Sequence, residues 1–347
     1  MNNVGIIGYG AYIPKYRITT QEIASVWGKN GEDIQKSLGV SQKSVPNIDE
    51  DSVTLSYESA ISALTRAQIA PHLLEACFIG SESHPYAVNP TSTIVAEFLG
   101  LGNNYIAVDL EFACKAATAG MQAIAGLIAS GKISYGLTIG VDTAQSRPHD
   151  ALEYTAASGG AAFVLGGDKK EILANILDFS SFSSDTPDFW RREGIRYPSH
   201  GGRFTGEPAY FTHVLGAAKR LLEKTHLQPT DFSYCVFHMP NGKFPREVAK
   251  RLGFTPDQLA PSLIVDHIGN PYSASSLLGL ASVLDIAQPK QKIFLVSYGS
   301  GAGADSFIFQ TTPILIKKRR LAPLFASFLK DTQTISYSQY LRFEQKL

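Results

Sequence analysis

The second half of this chain repeats the layout of its first half, and that repeat restricts the fold more than any other feature. Phe78-Ile79, ending one short apolar run, is matched by Val236-Phe237. Val108-Asp109 is matched by Val265-Asp266, and Thr138-Ile139 by Leu295-Val296, with about 30 residues between successive matches in both halves. Each Val-Asp is followed within a few residues by a helix of small residues. A repeat of roughly half the chain implies two similar α/β units, here residues 1–168 and 169–347. Strands that alternate with helices argue for parallel sheets.

The single elements follow from hydrophobic periodicity. Apolar runs at 4–8, 76–80, 106–109, 135–141 and 161–165 read as strands of the first half. Those of the second are expected at 172–179, 234–237, 263–266, 292–297 and 306–310. Helices are expected at 52–67, 91–99, 209–224 and 273–287, with a capped one opening at Thr20. Gly5, Gly8 and Gly10 surround the end of the first strand, but their spacing is not that of a dinucleotide loop. Residues 180–208 lack periodicity and carry Phe189, Trp190, Arg191, Arg192, Tyr197 and Arg203. A loop of that length in a compact unit is usually functional or mobile.

Composition narrows the class. The 347 residues carry a formal net charge of +0, which gives no electrostatic case for nucleic acid or an anionic membrane. No apolar run approaches a membrane span, and the start shows no basic segment followed by a signal-type core. Three cysteines make no disulfide framework and fit no zinc spacing. A soluble protein in the reducing cytoplasm is the expectation.

One cysteine stands where chemistry is possible. The strand 106–109 runs through a tight turn into a helix with the apolar stripe Ala117, Met121, Ile124, Leu127 and Ile128. Cys114 lies at the start of that helix, where unpaired N–H groups and the helix dipole favour a thiolate. A buried structural cysteine is the alternative reading. Open α/β sheets bind ligands at the carboxyl ends of their strands. There the first half offers Glu82, His84 and Cys114. The second offers His238, and Asn270 close to the position equivalent to Cys114. A nucleophile, a carboxyl, an imidazole and an orienting amide are the parts that thioester chemistry needs.

Other candidates have plain alternatives. Cys77 and Cys235 lie inside apolar strands and read as structural, and the pair Cys235-x-x-His238 lacks partners for a metal. His72, His213 and His226 read as surface residues. The segment from Tyr298 to Ala304 is either a tight turn needing small residues or a row of N–H groups facing a thioester oxygen. Lys243 is either a surface lysine or a cation for phosphates at the rim.

Several stretches together resemble the archaeal type of 3-hydroxy-3-methylglutaryl-CoA synthase, in the thiolase superfamily. They are Gly80-Ser-Glu-Ser-His-Pro-Tyr-Ala-Val, Asp109-Leu-Glu-Phe-Ala-Cys-Lys-Ala, Asp150-Ala-Leu-Glu-Tyr-Thr-Ala-Ala-Ser-Gly-Gly-Ala-Ala, His200-Gly-Gly-Arg-Phe-Thr-Gly-Glu-Pro-Ala-Tyr-Phe and Ser297-Tyr-Gly-Ser-Gly-Ala-Gly. The resemblance implies a five-layer αβαβα sandwich of two pseudo-symmetric halves. It implies that acetyl-CoA and acetoacetyl-CoA condense in the mevalonate pathway of isoprenoid synthesis. Cys114 would carry the acetyl group, Glu82 would deprotonate its methyl, and His238 would hydrogen-bond or protonate the ketone oxygen of acetoacetyl-CoA. Thr155, Thr205, Asn270 and Ser300 would hold the acyl part, and Lys243 the CoA phosphates. No metal or redox cofactor is implied. A homodimer is implied, and relatives suggest a complex with acetoacetyl-CoA thiolase and a small zinc-ribbon protein. The basic run Lys317-Lys318-Arg319-Arg320 is a solvated face or a contact for such a partner. Where the family often has a further cation after the lysine, this chain has Arg246-Glu247. Two rivals remain: a condensing enzyme of the ketoacyl-carrier-protein synthase III kind, and a non-catalytic scaffold of the same fold.

Overall fold

Two half-sheets of matching strand order meet at one short seam. The computed structural model describes residues 4–143 and 146–344, with residues 203 and 204 described by backbone alone. In the first half β1 (Gly5–Tyr12), β2 (Ala76–Gly80), β3 (Ile106–Leu110), β4 (Tyr135–Asp142) and β5 (Gly159–Gly166) take the order β1-β5-β4-β2-β3. In the second, β6 (Ala174–Ser183), β7 (Tyr234–Phe237), β8 (Lys292–Val296) and β9 (Gly303–Thr311) take the order β6-β9-β8-β7. Antiparallel pairing of Gly5 with Asn175 and Ile6 with Ala174 joins them into one sheet.

The sheet is mixed, which corrects the expectation of parallel sheets. β2 runs parallel to β3 and β4, and β7 to β8. The other neighbours in the sheet are antiparallel. The cause lies in the connections: no crossover helix separates β8 from β9, so a short turn returns the chain antiparallel.

Alternate residues of each strand face opposite layers. In β2, Cys77 and Ile79 face outward while Ala76 and Phe78 face inward. In β8, Phe294 and Val296 face outward while Ile293 and Leu295 face inward. The outer face of the first half is covered by α1 (Ser52–Ala67) and α2 (Thr91–Leu99), through Leu55, Ala63, Val95 and Leu99. Between the half-sheets lie α3 (Ala116–Ala129) and α6 (Ser275–Leu284), with Met121, Ile124, Leu277 and Leu280 packed on Phe163 and Phe307. The outer face of the second half is covered by α4 (Phe211–Thr225) and α5 (Lys243–Leu252), through Val214, Leu221 and Val248. These five layers are the expected αβαβα arrangement. Neither α3 nor α6 contains a charged residue, as a helix enclosed on both sides requires.

The repeat is incomplete at one edge. The expected strand 263–266 is a short helix, Val265–Ile268, so β3 has no counterpart. A short apolar run is ambiguous between strand and helix. Here Ile264, Val265 and Ile268 turn one helical face into the central core. The edge of β7 is met instead by Ser262, whose hydroxyl donates to the Cys235 carbonyl at 2.9 Å.

Three smaller expectations also change. His213 is buried, because it lies on the inner face of α4; Ser184 Oγ is 2.8 Å from its Nε2 and the Ala209 carbonyl 2.8 Å from its Nδ1. The basic run 317–320 is only partly solvated. Arg319 is buried and donates to the Asp285 and Ala287 carbonyls, and Lys318 donates to the Ala67 carbonyl. Residues 180–208 are less irregular than expected, since β6 extends to Ser183 and Phe189–Trp190 pairs with Ser199–His200. No helix among the described residues is long and apolar enough to cross a membrane.

Candidate active site

A missing side chain at Gly80 sets the site. A Cβ there would collide with the Ala117 nitrogen, so only glycine lets α3 begin against the end of β2. That contact brings the turn before α3 beside the loop after β2. Within the turn, Ala113 has φ +45, a conformation that costs a residue with a Cβ about 1 kcal/mol or more and persists where the surroundings enforce it. The next residue is Cys114, whose thiol donates to Glu82 Oε1 at 2.8 Å.

The expected thiolate is not what this environment favours. Burial, and then the Glu82 carboxylate, hold the Cys114 thiol well above its ordinary range. Cys114 precedes the first helical residue by two positions, and Lys115 occupies the N-cap. Desolvation and a neighbouring anion therefore outweigh the dipole. Glu82 is itself raised to about 8 by burial and by the nearby Asp142 charge, with the hydrogen bond from Cys114 and the Arg191 charge opposing. The pair is thus a neutral thiol beside a carboxyl poised near neutrality.

Asp142 was not singled out by sequence reasoning, although it ends the apolar strand β4 at its carboxyl end. It is buried, and its Oδ1 accepts from Glu82 N at 2.7 Å, Ser81 Oγ at 2.9 Å and Ser83 Oγ at 2.7 Å. Its Oδ2 accepts from Ser273 N at 2.9 Å, across the halves. One carboxylate thus fixes the backbone of the Glu82 loop.

From the second half come His238 and Asn270. His238 N continues the ladder by donating to the Val296 carbonyl at 2.9 Å, and Tyr210 donates to the His238 carbonyl at 2.7 Å. Burial pushes the imidazole down to about 3, so it is neutral. Its Nδ1 has no hydrogen-bond partner among the described residues. Asn270 N donates to the Thr155 carbonyl at 2.7 Å, and Ala157 N to the Asn270 carbonyl at 3.0 Å, which stitches the halves beside the cysteine.

Cys114, Thr155, Thr205, His238, Asn270 and Ser300 share the wall of one cavity of about 230 Å³, with Phe189, Tyr272 and Tyr298. Two expected residues do not line it. Glu82 lies behind Cys114 and faces a smaller void of about 20 Å³ shared with Asp142, Arg191 and Tyr272. Lys243 is exposed as the first residue of α5, next to Phe244, which does line the cavity. Arg246 is occupied by Asp266 at 2.6 Å. His84 turns away from the cavity, its Nδ1 2.8 Å from Thr91 Oγ1.

The glycine-rich segment forms the tight turn between β8 and β9. The N–H groups of Gly299, Ala302 and Gly303 are spent inside it, on the carbonyls of Gly303, Gly299 and Gly299. Those three are not free to face a thioester oxygen. The loop after β6 is tied to the same turn by Ser184 N to the Ala302 carbonyl and Thr186 N to that of Gly301. Arg191, further along, donates to the Glu82 carbonyl at 3.0 Å. Cys77 and Cys235 are fully buried, and burial raises both thiols. No cluster of metal-ligating side chains occurs among the described residues.

Paired half-sheets around two enclosed helices, with a cysteine leading into the first of them, define the thiolase-like class of α/β proteins. The profile of the 3-oxoacyl-(acyl-carrier-protein) synthase III C-terminal region matches residues 222–311, within the second half. The hydroxymethylglutaryl-CoA synthase of Methanopyrus kandleri is 54% identical over 344 residues, 99% of this chain and 98% of its own length. That of Methanothermobacter thermautotrophicus is 55% identical over 343 residues, 99% of each chain. A solved structure, MvaS in complex with 3-hydroxy-3-methylglutaryl coenzyme A, aligns with a TM-score of 0.90 at 23% identity, covering 99% of this chain and 92% of that one. At that identity the likeness is one of fold. The chain belongs to the hydroxymethylglutaryl-CoA synthase family.

Proposed function

We propose that this chain condenses acetyl-CoA with acetoacetyl-CoA to 3-hydroxy-3-methylglutaryl-CoA, through an acetyl thioester on Cys114. The observation that carries this reading is the 2.8 Å contact of Glu82 with Cys114, which shares the wall of one cavity with His238 and Asn270. In the first step the Cys114 sulfur attacks the acetyl carbonyl, and its proton leaves on the sulfur of CoA. Glu82 as carboxylate then removes a proton from the acetyl methyl. The enolate carbon bonds to the ketone carbon of acetoacetyl-CoA, and the proton held by Glu82 returns to the new alkoxide. A neutral His238 donates a hydrogen bond to that oxygen and does not protonate it, because an imidazole at about 3 is not a cation near neutral pH. Water then breaks the thioester and frees Cys114. These steps call for no metal or redox group.

Thr155, Thr205, Asn270 and Ser300 hold the acyl part in this reading, and Lys243 meets the CoA phosphates at the rim. Residues 1–168 and 169–347 act as its two halves. A homodimer in the cytoplasm, and association with a thiolase and a zinc-ribbon protein, belong to the same proposal through family likeness. The match over residues 222–311 favours a second reading, a ketoacyl-carrier-protein synthase. Such an enzyme makes its carbanion by decarboxylating malonyl and has no use for a base at Glu82. Purified protein given acetyl-CoA with acetoacetyl-CoA, or acetyl-CoA with malonyl-carrier protein, separates the two by mass of the product. The proposal expects hydroxymethylglutaryl-CoA from the first mixture; a ketoacyl product from the second alone overturns it.

A further inference from the structure

Lys115 follows the cysteine directly, and a lysine beside a cysteine lowers the thiol pKa when its charge faces the sulfur. In the fold it points elsewhere. Its Nζ lies 3.0 Å from both carboxylate oxygens of Asp305, a residue of β9 in the other half. Both side chains are buried. Thr118 Oγ1 and Ser181 Oγ each donate to Asp305 at 2.8 Å. A buried ion pair offsets its desolvation only when its remaining hydrogen-bond capacity is filled, and these hydroxyls fill it. The charges that hold the Cys114 thiol high are those of Glu82 and Asp142, while the Lys115 ammonium is paired with Asp305.

The pair instead grips the turn that carries the nucleophile. The Lys115 ammonium also stands 3.9 Å from the centre of the Phe112 ring, so one side chain holds both flanks of Cys114. The glycine turn leading to Asp305 lies directly on the same segment. A Cβ on Gly299 would come within 2.5 Å of the Phe112 carbonyl oxygen and 2.9 Å of Lys115 Cγ. Between these grips sits Ala113 at φ +45, a conformer that needs outside enforcement.

We propose that Lys115 and Asp305 are positioning residues that hold the Cys114 turn in reacting geometry from across the seam between the halves. The proposal deepens the reading of Cys114 as the acyl-carrying nucleophile and rests on it. A displacement of about 1 Å at a reacting group costs on the order of 10²-fold in rate. Lys115→Met and Asp305→Asn are therefore expected to slow the acetylation of Cys114 by about 10- to 100-fold, with little change in the acetyl-CoA concentration for half-maximal rate. Replacing a buried pair by apolar residues is often neutral for stability, so the double variant Lys115→Met/Asp305→Leu is expected to regain the melting temperature while staying slow.

The test is acid-quenched acetylation by acetyl-CoA with peptide mass mapping, beside melting curves and iodoacetamide alkylation of Cys114 across pH. Slow acetylation in the double variant at wild-type melting temperature, with a displaced alkylation profile, supports positioning. Acetylation at wild-type rate in either single variant, or a rate that recovers together with stability in the double variant, overturns it. Should Lys115→Met not fold, Asp305→Asn and the double variant decide by the same criteria. If wild-type protein takes no acetyl group, the nucleophile reading itself fails, while unchanged alkylation of Cys114 in the variants separately refutes the positioning role.

Discussion

Replacing Glu82 by Gln removes the carboxylate while keeping its volume, and the structure fixes how large and how selective the effect should be. Loss of a positioned general base costs about two to four orders of magnitude, so condensation should fall by about that much. Acetylation of Cys114 should survive. The Glu82 charge is among the causes that hold the Cys114 thiol high, and it vanishes in the variant, while the amide oxygen of glutamine still accepts from the thiol. The thiol of the variant should ionise at lower pH than that of the wild type. Burial and the Asp142 charge raise wild-type Glu82 to about 8. Condensation should therefore rise with pH as Glu82 ionises, later than an ordinary carboxyl would. The assay is stopped-flow release of CoA for the first step and product mass for the second, from pH 6 to 9.5 (~), as the titration range about that value requires. Condensation by Glu82→Gln near the wild-type rate, or an alkylation profile for Cys114 that moves upward, would refute the reasoning.

Four further outcomes are expected. Asp142→Asn should lower the pH at which condensation switches on, because the Asp142 charge raises Glu82, and should slow it by loosening the loop that Asp142 fixes; pH–rate profiles check both. His238→Ala should slow condensation by about 10²- to 10³-fold with acetylation retained, and wild-type rates should show no histidine titration near 6.5, since burial holds His238 at about 3. Glu82 is raised in the fold, so its stabilising contribution is complete below its ordinary range near 4.5 and is lost as pH rises from there to about 8; melting curves should show Glu82→Gln gaining on the wild type across that window and no further above it. Residues 184–208 should exchange amide hydrogen more slowly when CoA binds, because Phe189 and Thr205 line the cavity and Arg191 reaches Glu82; equal exchange with and without CoA counts against this.

Much of this was legible in the chain because the strongest signals were local and periodic. The runs at 52–67, 76–80, 91–99 and 234–237 coincide with α1, β2, α2 and β7, where a helical period of 3.6 or a short continuous apolar run marks the element. The half-chain repeat located His238 and Asn270 opposite Cys114, which no local pattern could do. It misled at Val265-Asp266, because the repeat predicts position and not whether an edge strand is kept. Strand direction was also out of reach, since it depends on whether a connection crosses the sheet or turns back. The thiolate expectation failed for a related reason. A helix start is visible in sequence, whereas the Glu82 carboxyl against Cys114 exists only once Gly80 lets α3 close on β2. Asp142 and Asp305 were hidden in the same way: each is one acidic residue at a strand end or start, and only packing shows what it holds.

The central claim is that Cys114 carries the acyl group beside a base that acts later. Incubation of the wild-type protein with acetyl-CoA alone, acid quench and peptide mapping tests it most directly. One acetyl group is expected, on the peptide containing Cys114, and it should disappear with release of hydroxymethylglutaryl-CoA when acetoacetyl-CoA is added. An acetyl group on Cys77 or Cys235, or one that still forms in Cys114→Ala, would contradict it.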